Sequence, residues 1–201
     1  REVYHNLKNN SLKKNLYYNR AAYGLGLQGP DIFFYYLPSY VLEGHNIGAL
    51  AHVRETGAFF QGLLESRNLF SSRTDLNIAE AYLMGFLGHY TLDTVCHPYI
   101  YAMTHYKDKK EKAYFSRHAY LETDIDTALL DLKLHRQPCY FHATDTIRLT
   151  HRQKHVIASM LYYAYRYAFP DVKFRKYTMY LAIFSMQNGL WLMHDDSGKK
   201  K

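Results

Sequence analysis

The chain has 201 residues, of which 48% are hydrophobic and 21% charged, a globular composition that excludes a disordered or fibrous protein. Lys and Arg number 25 against 18 Asp and Glu, and the resulting net charge of +7 favours anionic partners such as phospholipid headgroups or other phosphates. Two cysteines do not make a disulfide framework, and no uncharged apolar run reaches the length of about 18 residues that spans a bilayer.

The first half of the chain has helical hydrophobic spacing. This spacing predicts a helix over 1–22, a break at the glycines and proline of 24–30, an aromatic segment over 32–44 and a helix over 46–66. The most apolar helix is predicted over 75–97. We expect Pro98 to end it, because the residue before a proline avoids the α region.

The second half continues in the same way. Helices are predicted over 113–134, 147–168 and 174–193, with a solvated turn or helix start at 107–112 and a loop at 137–146. We find no period-2 stretch that would predict a sheet, and no repeat or linker that would divide the chain. The sequence therefore predicts one all-α, multi-helical domain over 1–201.

Tyr and His are unusually frequent, with 21 and 12 copies. Buried tyrosine hydroxyls need hydrogen-bond partners, and imidazole is the commonest metal ligand in proteins. Five tyrosines near the polar motifs could line a pocket, although core packing is the favoured interpretation: Tyr35, Tyr36, Tyr40, Tyr90 and Tyr101. For the histidines, only their spacing can separate a metal site from an ordinary surface.

The central polar motif places His89, Asp93 and His97 at i, i+4 and i+8. Four residues turn an α-helix by about 400°, so the three side chains share one face. His89 and Asp93 can bind the same ion, but His89 and His97 lie about 12 Å apart along the axis. All three as ligands would need at least two metals, with Asp93 able to bridge, or His97 would turn toward a separate site.

A second His–carboxylate pair, His118 and Glu122, lies at i,i+4 on the next predicted helix. Burying such groups without a metal or a partner costs several kcal/mol each. Asp31 follows a Gly-Pro break and His45 follows Gly44. Each of these two residues could point into a site, or could simply cap a helix.

The order of these residues resembles that of the zinc-dependent phospholipase C family, whose wider relatives include nucleases of the P1/S1 type. The matching residues are Asp31, His45, His89-x3-Asp93, His97 and His118-x3-Glu122. The segments 54–58 and 82–90 agree as well, and the resemblance runs from Gly24 to Asp126. It implies an all-α fold and a cluster of two to three zinc ions between helices.

The resemblance also implies a role for each ligand. His45, His89 and Asp93 would hold one ion, with Asp31 as a further ligand or as the catalytic base for the attacking water.

His97, His118 and Glu122 would hold another ion in the same scheme. Asp93 would bridge to a third, whose remaining ligands come from the N-terminus in the family. The spacing from Asp93 to His97 is shorter here than in the best-known secreted members.

The N-terminal residues also depart from the family pattern. Secreted members supply an N-terminal Trp and an early His, whereas the Trp here is Trp191 and His5 lies too close to Asp31. The chain begins without an N-cap residue, so we expect residues upstream of Arg1 that include the matching His. A chain without that residue would lack one zinc and show weak activity. The sequence leaves a cytoplasmic and a secreted location open.

The expected function is hydrolysis of a phospholipid or similar phosphodiester by zinc-activated water, with peripheral membrane contact. The sequence has no motif for a covalent nucleophile. Its basic runs do not alternate with aromatics, so no specific nucleic-acid partner is predicted. Two alternatives remain: a catalytically degenerate, metal-stabilised domain that binds anionic lipid, and a single-strand nuclease of the P1/S1 type.

Two other classes of metal enzyme are less favoured. A ferritin-like site needs Glu-x-x-His pairs, which the His-first i,i+4 spacing does not supply. An HD-type phosphohydrolase would have to use His194-Asp195, which stands in a polar tail without suitable partners. We expect the remaining histidines, including His105, His151 and His155, to be surface or core residues.

Overall fold

The computed structural model describes residues 2–38, 47–105, 112–173 and 175–198. Within these ranges the regular structure is helical and contains no strand, which confirms the all-α prediction. The α-helices are α1 Glu2–Asn6, α2 Asn10–Tyr18, α3 Arg20–Gly26, α4 Ile47–Val53, α5 Thr56–Glu65, α6 Arg73–Met103, α7 Lys112–Leu134, α8 His151–Ala168 and α9 Lys176–Met193. Short 3-10 turns cover Gly29–Tyr35, Ser66–Leu69, Pro138–Tyr140 and Ala143–Ile147.

The chain divides into two compact units. The first comprises Arg1–His89 and Ala143–Leu192, and the second comprises Tyr90–His142 and Met193–Lys201. The single domain over 1–201 stays a prediction. None of the helices in the described ranges combines the length and hydropathy that a membrane crossing requires.

The first unit holds an extensive apolar core. In this core α5 packs along α8, where the rings of Phe59 and Tyr165 meet edge to face with centroids 4.9 Å apart. Gly62 permits the close approach of the two helices, since a Cβ there would lie 2.9 Å from Cα of Ala164. The buried Tyr165 hydroxyl donates to the carbonyl of Ile47 at 3.2 Å, which connects α4 to the same core.

The glycines at 24 and 26 do not break the first helical region as predicted. Both lie inside α3, which ends at Gly26. A Cβ on Gly26 would lie 2.3 Å from the carbonyl oxygen of Tyr82 and 2.9 Å from Cα of Gly85. Gly26 and Gly85 are glycines because α3 and α6 touch backbone to backbone there, whereas Gly24 lies against the carbonyl of Thr146. The chain turns only afterwards, at Gly29.

The single helix predicted over 46–66 is wrong, because α4 and α5 are separate. Glu55 between them adopts a left-handed conformation with φ of +50°, although it is not a glycine. On one continuous helix Ile47 and Leu63 would point about 160° apart. Both side chains are nevertheless fully buried, at 0% exposure. The break at Glu55 therefore allows both segments to face one core.

Pro98 does not end the central helix, contrary to the prediction, and α6 continues to Met103. Proline has no N–H for the hydrogen bond to the carbonyl four positions earlier. The loss of this one hydrogen bond does not end the helix, because the turn after Pro98 is stabilised by other contacts. Ile100 beyond it is buried, and both the N–H and the hydroxyl of Thr104 donate to the Ile100 carbonyl, at 2.9 and 2.7 Å.

The second unit contains few buried apolar side chains. Among its described residues Ile100 is the buried hydrophobic one. By contrast, this unit brings the polar side chains of His97, His118 and Glu122 together. Two predicted features, His45 and most of the solvated turn at 107–112, lie outside the described residues.

Candidate metal centres

Asp31 and His89 come together through an unusual glycine. Gly29 begins the 3-10 turn that carries Asp31. Its φ of +52° is a backbone angle that residues with a side chain rarely adopt. A Cβ on Gly29 would lie 2.1 Å from Cδ2 of the His89 ring. A glycine here therefore allows the turn to close directly over the imidazole on α6.

The first cluster consists of Asp31, His52 and His89, all in the first unit. One ligand atom from each lies within 4.8 Å of the others. Nε2 of His52 is 3.0 Å from Oδ1 of Asp31, and the rings of His52 and His89 meet edge to face with centroids 6.0 Å apart. Asp31 is the most exposed of the three, so the cluster opens to solvent on the side of its carboxylate.

Both imidazoles of the first cluster are oriented by the backbone. Nδ1 of His52 lies 2.7 Å from the carbonyl oxygen of Gly48, one turn earlier on α4. Nδ1 of His89 lies 3.3 Å from the carbonyl oxygen of Leu27. A ring that donates its Nδ1 proton to a carbonyl keeps the Nε2 lone pair for a ligand, the arrangement typical of metal-binding histidines.

The second cluster consists of His97, His118 and Glu122, all in the second unit. Oε1 of Glu122 lies 2.9 Å from Nε2 of His118 and 3.7 Å from Nε2 of His97. The two rings stack with centroids 5.4 Å apart and planes 25° apart. The i,i+4 spacing of His118 and Glu122 on α7 places both on one side of that helix, as the sequence spacing requires.

The histidines of the second cluster repeat the orientation seen in the first. Nδ1 of His97 lies 3.1 Å from the backbone carbonyl of Asp93 and 3.7 Å from its Oδ2. Nδ1 of His118 lies 3.0 Å from the hydroxyl of Tyr114. In both rings Nε2 is the nitrogen that faces Glu122. Two imidazole nitrogens and a carboxylate oxygen are ligands that suit Zn²⁺.

Tyr101 borders the second cluster, with its ring centroid 5.2 Å from that of His97 and 6.0 Å from that of His118. Burial raises the pKa of Tyr101, and the carboxylates of Asp93 and Glu122 raise it further. Its hydroxyl therefore keeps its proton at neutral pH and can serve as a donor beside the cluster.

The other tyrosines singled out from the sequence have different surroundings. Tyr36 is buried in the core of the first unit, Tyr35 packs partly against that core, and Tyr90 is exposed. Tyr40 lies outside the described residues.

Comparison with known families gives one match. A family model described as zinc dependent phospholipase C covers residues 1–184. The chain belongs to the zinc-dependent phospholipase C family. The match reaches well beyond the half of the chain that carries the motif resemblance, and it includes both clusters. No curated protein and no solved structure matches the chain.

Membership of the family defines the coarse chemistry. Zinc is the metal, phospholipid the substrate class and hydrolysis the reaction that this family implies. The donor set fits that metal independently, because each cluster offers two imidazoles and one carboxylate.

The structure brings most of the predicted ligands into two groups. Their role as metal ligands remains a prediction. Asp31 and His89 lie together in the first cluster, and His97, His118 and Glu122 lie together in the second. Asp93 lies beside His97, one turn before it on α6.

His52 is a member of the first cluster that the sequence analysis missed. A signal for it was present, because His52 follows His45 by seven residues. That spacing is about 700° on a helix, within about 20° of the same face. His45 directly precedes the predicted helix over 46–66, and one further helical residue would place both side chains on that face, but no motif contained His52.

Proposed function

We propose that this chain is a zinc-dependent phosphodiester hydrolase of the phospholipase C type. The observation that carries the proposal is the common orientation of four histidines, each with Nδ1 beside a hydrogen-bonding group of its own chain and Nε2 in a carboxylate-containing cluster: His52, His89, His97 and His118. Metal-ligating histidines commonly have that orientation, with one ring nitrogen held by the protein and the other facing the metal.

In this proposal each cluster holds zinc by itself. Asp31, His52 and His89 would bind one ion, and His97, His118 and Glu122 another. His45 and Asp93 remain proposed ligands of the ion that His89 holds, and Asp93 would bridge to a third ion. When bound, zinc neutralises phosphoryl oxygens, lowers the pKa of a water molecule and stabilises the leaving oxygen.

The chain's own residues would orient the imidazole rings and accept a proton from the attacking water. The carbonyl oxygens of Gly48 and Leu27 lie at hydrogen-bond distance from Nδ1 of His52 and His89, which would fix the direction of both rings. Asp31 is the proposed catalytic residue. Its carboxylate is partly exposed and would accept the proton of the attacking water at an oxygen, or would serve as a further ligand.

The substrate in this proposal is a phospholipid or a similar phosphodiester. The net charge of +7 attracts such anions and would favour peripheral contact with an anionic membrane. The reaction would break the bond between glycerol oxygen and phosphorus, leaving diacylglycerol and a phosphorylated headgroup.

Metal content and turnover together test the assignment. We expect His89→Ala and Asp93→Asn each to lower the zinc content and to abolish hydrolysis of a chromogenic phosphodiester, while far-ultraviolet circular dichroism keeps the helical signal. His151→Gln, at an exposed histidine outside both clusters, is the matched control and should change neither quantity. An unchanged zinc stoichiometry in His89→Ala would contradict the assignment of the first cluster.

The products distinguish the alternatives. Incubation of the full chain with phosphatidylcholine vesicles should release diacylglycerol. Release of mononucleotides from single-stranded DNA, without lipid cleavage, would instead indicate a nuclease. Full zinc loading without any turnover would indicate a lipid-binding protein that has lost its activity. In that case Asp31→Asn should leave binding to anionic vesicles unchanged.

A further inference from the structure

A third group of metal-ligand side chains lies outside the family's motif residues. It consists of His142, His194 and Asp196, and one ligand atom from each lies within 4.8 Å of the others. All three belong to the second unit. His194 and Asp196 also lie beyond residue 184, where the family match ends. In the sequence the His194-Asp195 dipeptide stands in a polar tail without evident partners, and the fold supplies a partner for His194 in His142.

The two imidazoles are in close contact, with ring centroids 4.2 Å apart and planes 41° apart. Rings this close can each offer one nitrogen to the same ion. Neutral imidazole is the form that binds transition metals.

Nε2 of His194 lies close to Asp196 but makes no hydrogen bond within the described part of the chain. Its side chain is only 15% exposed, and Nε2 is buried with no hydrogen-bond partner among the described residues. That same Nε2 lies 3.1 Å from Oδ1 of Asp196. Two ligands of one tetrahedral zinc ion are about 3.4 Å apart, given zinc–ligand bonds of about 2.1 Å. The atoms are therefore spaced as two ligands of one ion are, although they are not aligned for a hydrogen bond.

The segment that carries Asp196 has a defined conformation. Oδ1 of Asp195 accepts from the N–H of Ser197 at 3.0 Å and from its hydroxyl at 2.5 Å. Gly198 follows with φ of +65°, and a Cβ on it would lie 3.3 Å from Sγ of Cys139. The turn after α9 thus lies directly against the turn Pro138–Tyr140, just before His142 in sequence.

We propose that His142, His194 and Asp196 form a further zinc site that joins these two turns. Two imidazoles and a carboxylate suit Zn²⁺, and three protein ligands leave a fourth position for water. Asp196 is 85% exposed, so that position faces solvent. The site would stabilise a unit that has few buried apolar side chains, by connecting segments more than fifty residues apart in sequence.

Zinc titration of the full chain, followed by hydrogen exchange, tests this site. We expect added Zn²⁺ to slow amide exchange over 194–198 in the wild type and in the control His151→Gln. This zinc-dependent protection of 194–198 should be absent in His142→Ala, although the substitution lies about fifty residues away in sequence. Elemental analysis should show about one zinc fewer per chain in His142→Ala and in His194→Ala.

Asp196→Asn keeps the shape of an exposed side chain and should weaken zinc binding at this site by about tenfold or more, even if a histidine variant fails to fold. Equal zinc protection of 194–198 in Asp196→Asn and the wild type, or no protection in the wild type, would overturn the proposal. Hydrolysis is no part of this test, so its result does not depend on the function proposed for the other two clusters.

Discussion

At the scale of single residues, the histidines divide by what holds Nδ1. Three of them use backbone carbonyls, those of Gly48, Leu27 and Asp93, and His118 uses the Tyr114 hydroxyl. A fixed Nδ1 determines the tautomer and aims Nε2, which reduces the entropy lost when a metal binds. In the proposed metal sites, residues beside the ligands would therefore contribute to metal affinity without touching the metal.

Gly29 is such a residue, and we expect Gly29→Ala to lower both stability and zinc affinity. An alanine at φ of +52° costs about 1–2 kcal/mol in backbone strain, and its Cβ would also displace the His89 ring. Urea unfolding measures the first effect, and competition with a zinc chelator measures the second, which should be about tenfold or more.

Gly57→Ala is the control for this substitution. Gly57 lies in the first turn of α5, and a Cβ there would meet nothing within 4 Å. The change should therefore leave zinc affinity unaltered and raise the free energy of unfolding by up to about 1 kcal/mol. If Gly29→Ala bound zinc as tightly as Gly57→Ala, the close approach of Gly29 to His89 would have no functional meaning.

At the scale of elements, α6 carries more of the candidate ligands than any other described helix. Its N-terminal turn is held by Arg152 at the start of α8. The Arg152 Nε donates to Oδ1 of Asp75 at 2.6 Å, and Nη2 donates to the hydroxyl of Ser72 at 2.9 Å. The hydrogen bond and the charge of Arg152 hold the pKa of Asp75 below its usual range.

This lowered pKa predicts how stability depends on pH. A carboxyl whose pKa is lower in the folded state stabilises the protein above its unfolded pKa of about 3.9, and that contribution is lost as the pH falls through the folded value. We therefore expect Arg152→Gln to reduce the free energy of unfolding at neutral pH. The difference from the wild type should disappear in acid, as urea unfolding over the pH range will show.

Arg148→Gln provides the comparison. Arg148 pairs with Asp145 at 3.1 Å, but the two side chains are 84% and 59% exposed, so solvent screens the pair. We expect no measurable change in stability at any pH. If the free energy of unfolding of Arg152→Gln stayed below that of the wild type in acid, the loss of stability would come from packing rather than from the ion pair.

At the scale of the whole molecule, apolar burial and metal-ligand chemistry are distributed unequally. The first unit has a large core built around α5, α8 and their aromatic side chains. The second unit has Ile100 as its buried hydrophobic residue in the described part, together with His97, His118 and Glu122. A small unit with little core commonly depends on a metal for its stability.

Chelation should therefore destabilise the protein, and the second unit most. A ligand present at 100 times its dissociation constant stabilises the folded state by about 2.7 kcal/mol, so removal of zinc should lower the unfolding temperature. Hydrogen exchange should accelerate over α7 more than over α8. His118→Ala should lose most of the zinc dependence in α7. Equal exchange in α7 with and without chelator would contradict the prediction.

The sequence by itself determined the fold class, the approximate extent of the long helices and the order of the polar motifs. Those features depend on local periodicity and on residue types, such as His118 and Glu122 one turn apart, that a single chain displays without its partners. The family is likewise recognisable from the order of the motifs, and the match over residues 1–184 confirms it.

Only the tertiary structure decided which side chains meet. His52 lies beside Asp31 on a helix that ends before Glu55, and Glu55 itself is not a residue type that signals a break with positive φ. His142 meets His194 because two turns far apart in sequence pack together. Such contacts depend on buried shape and on backbone approach between distant segments, and local sequence patterns carry neither.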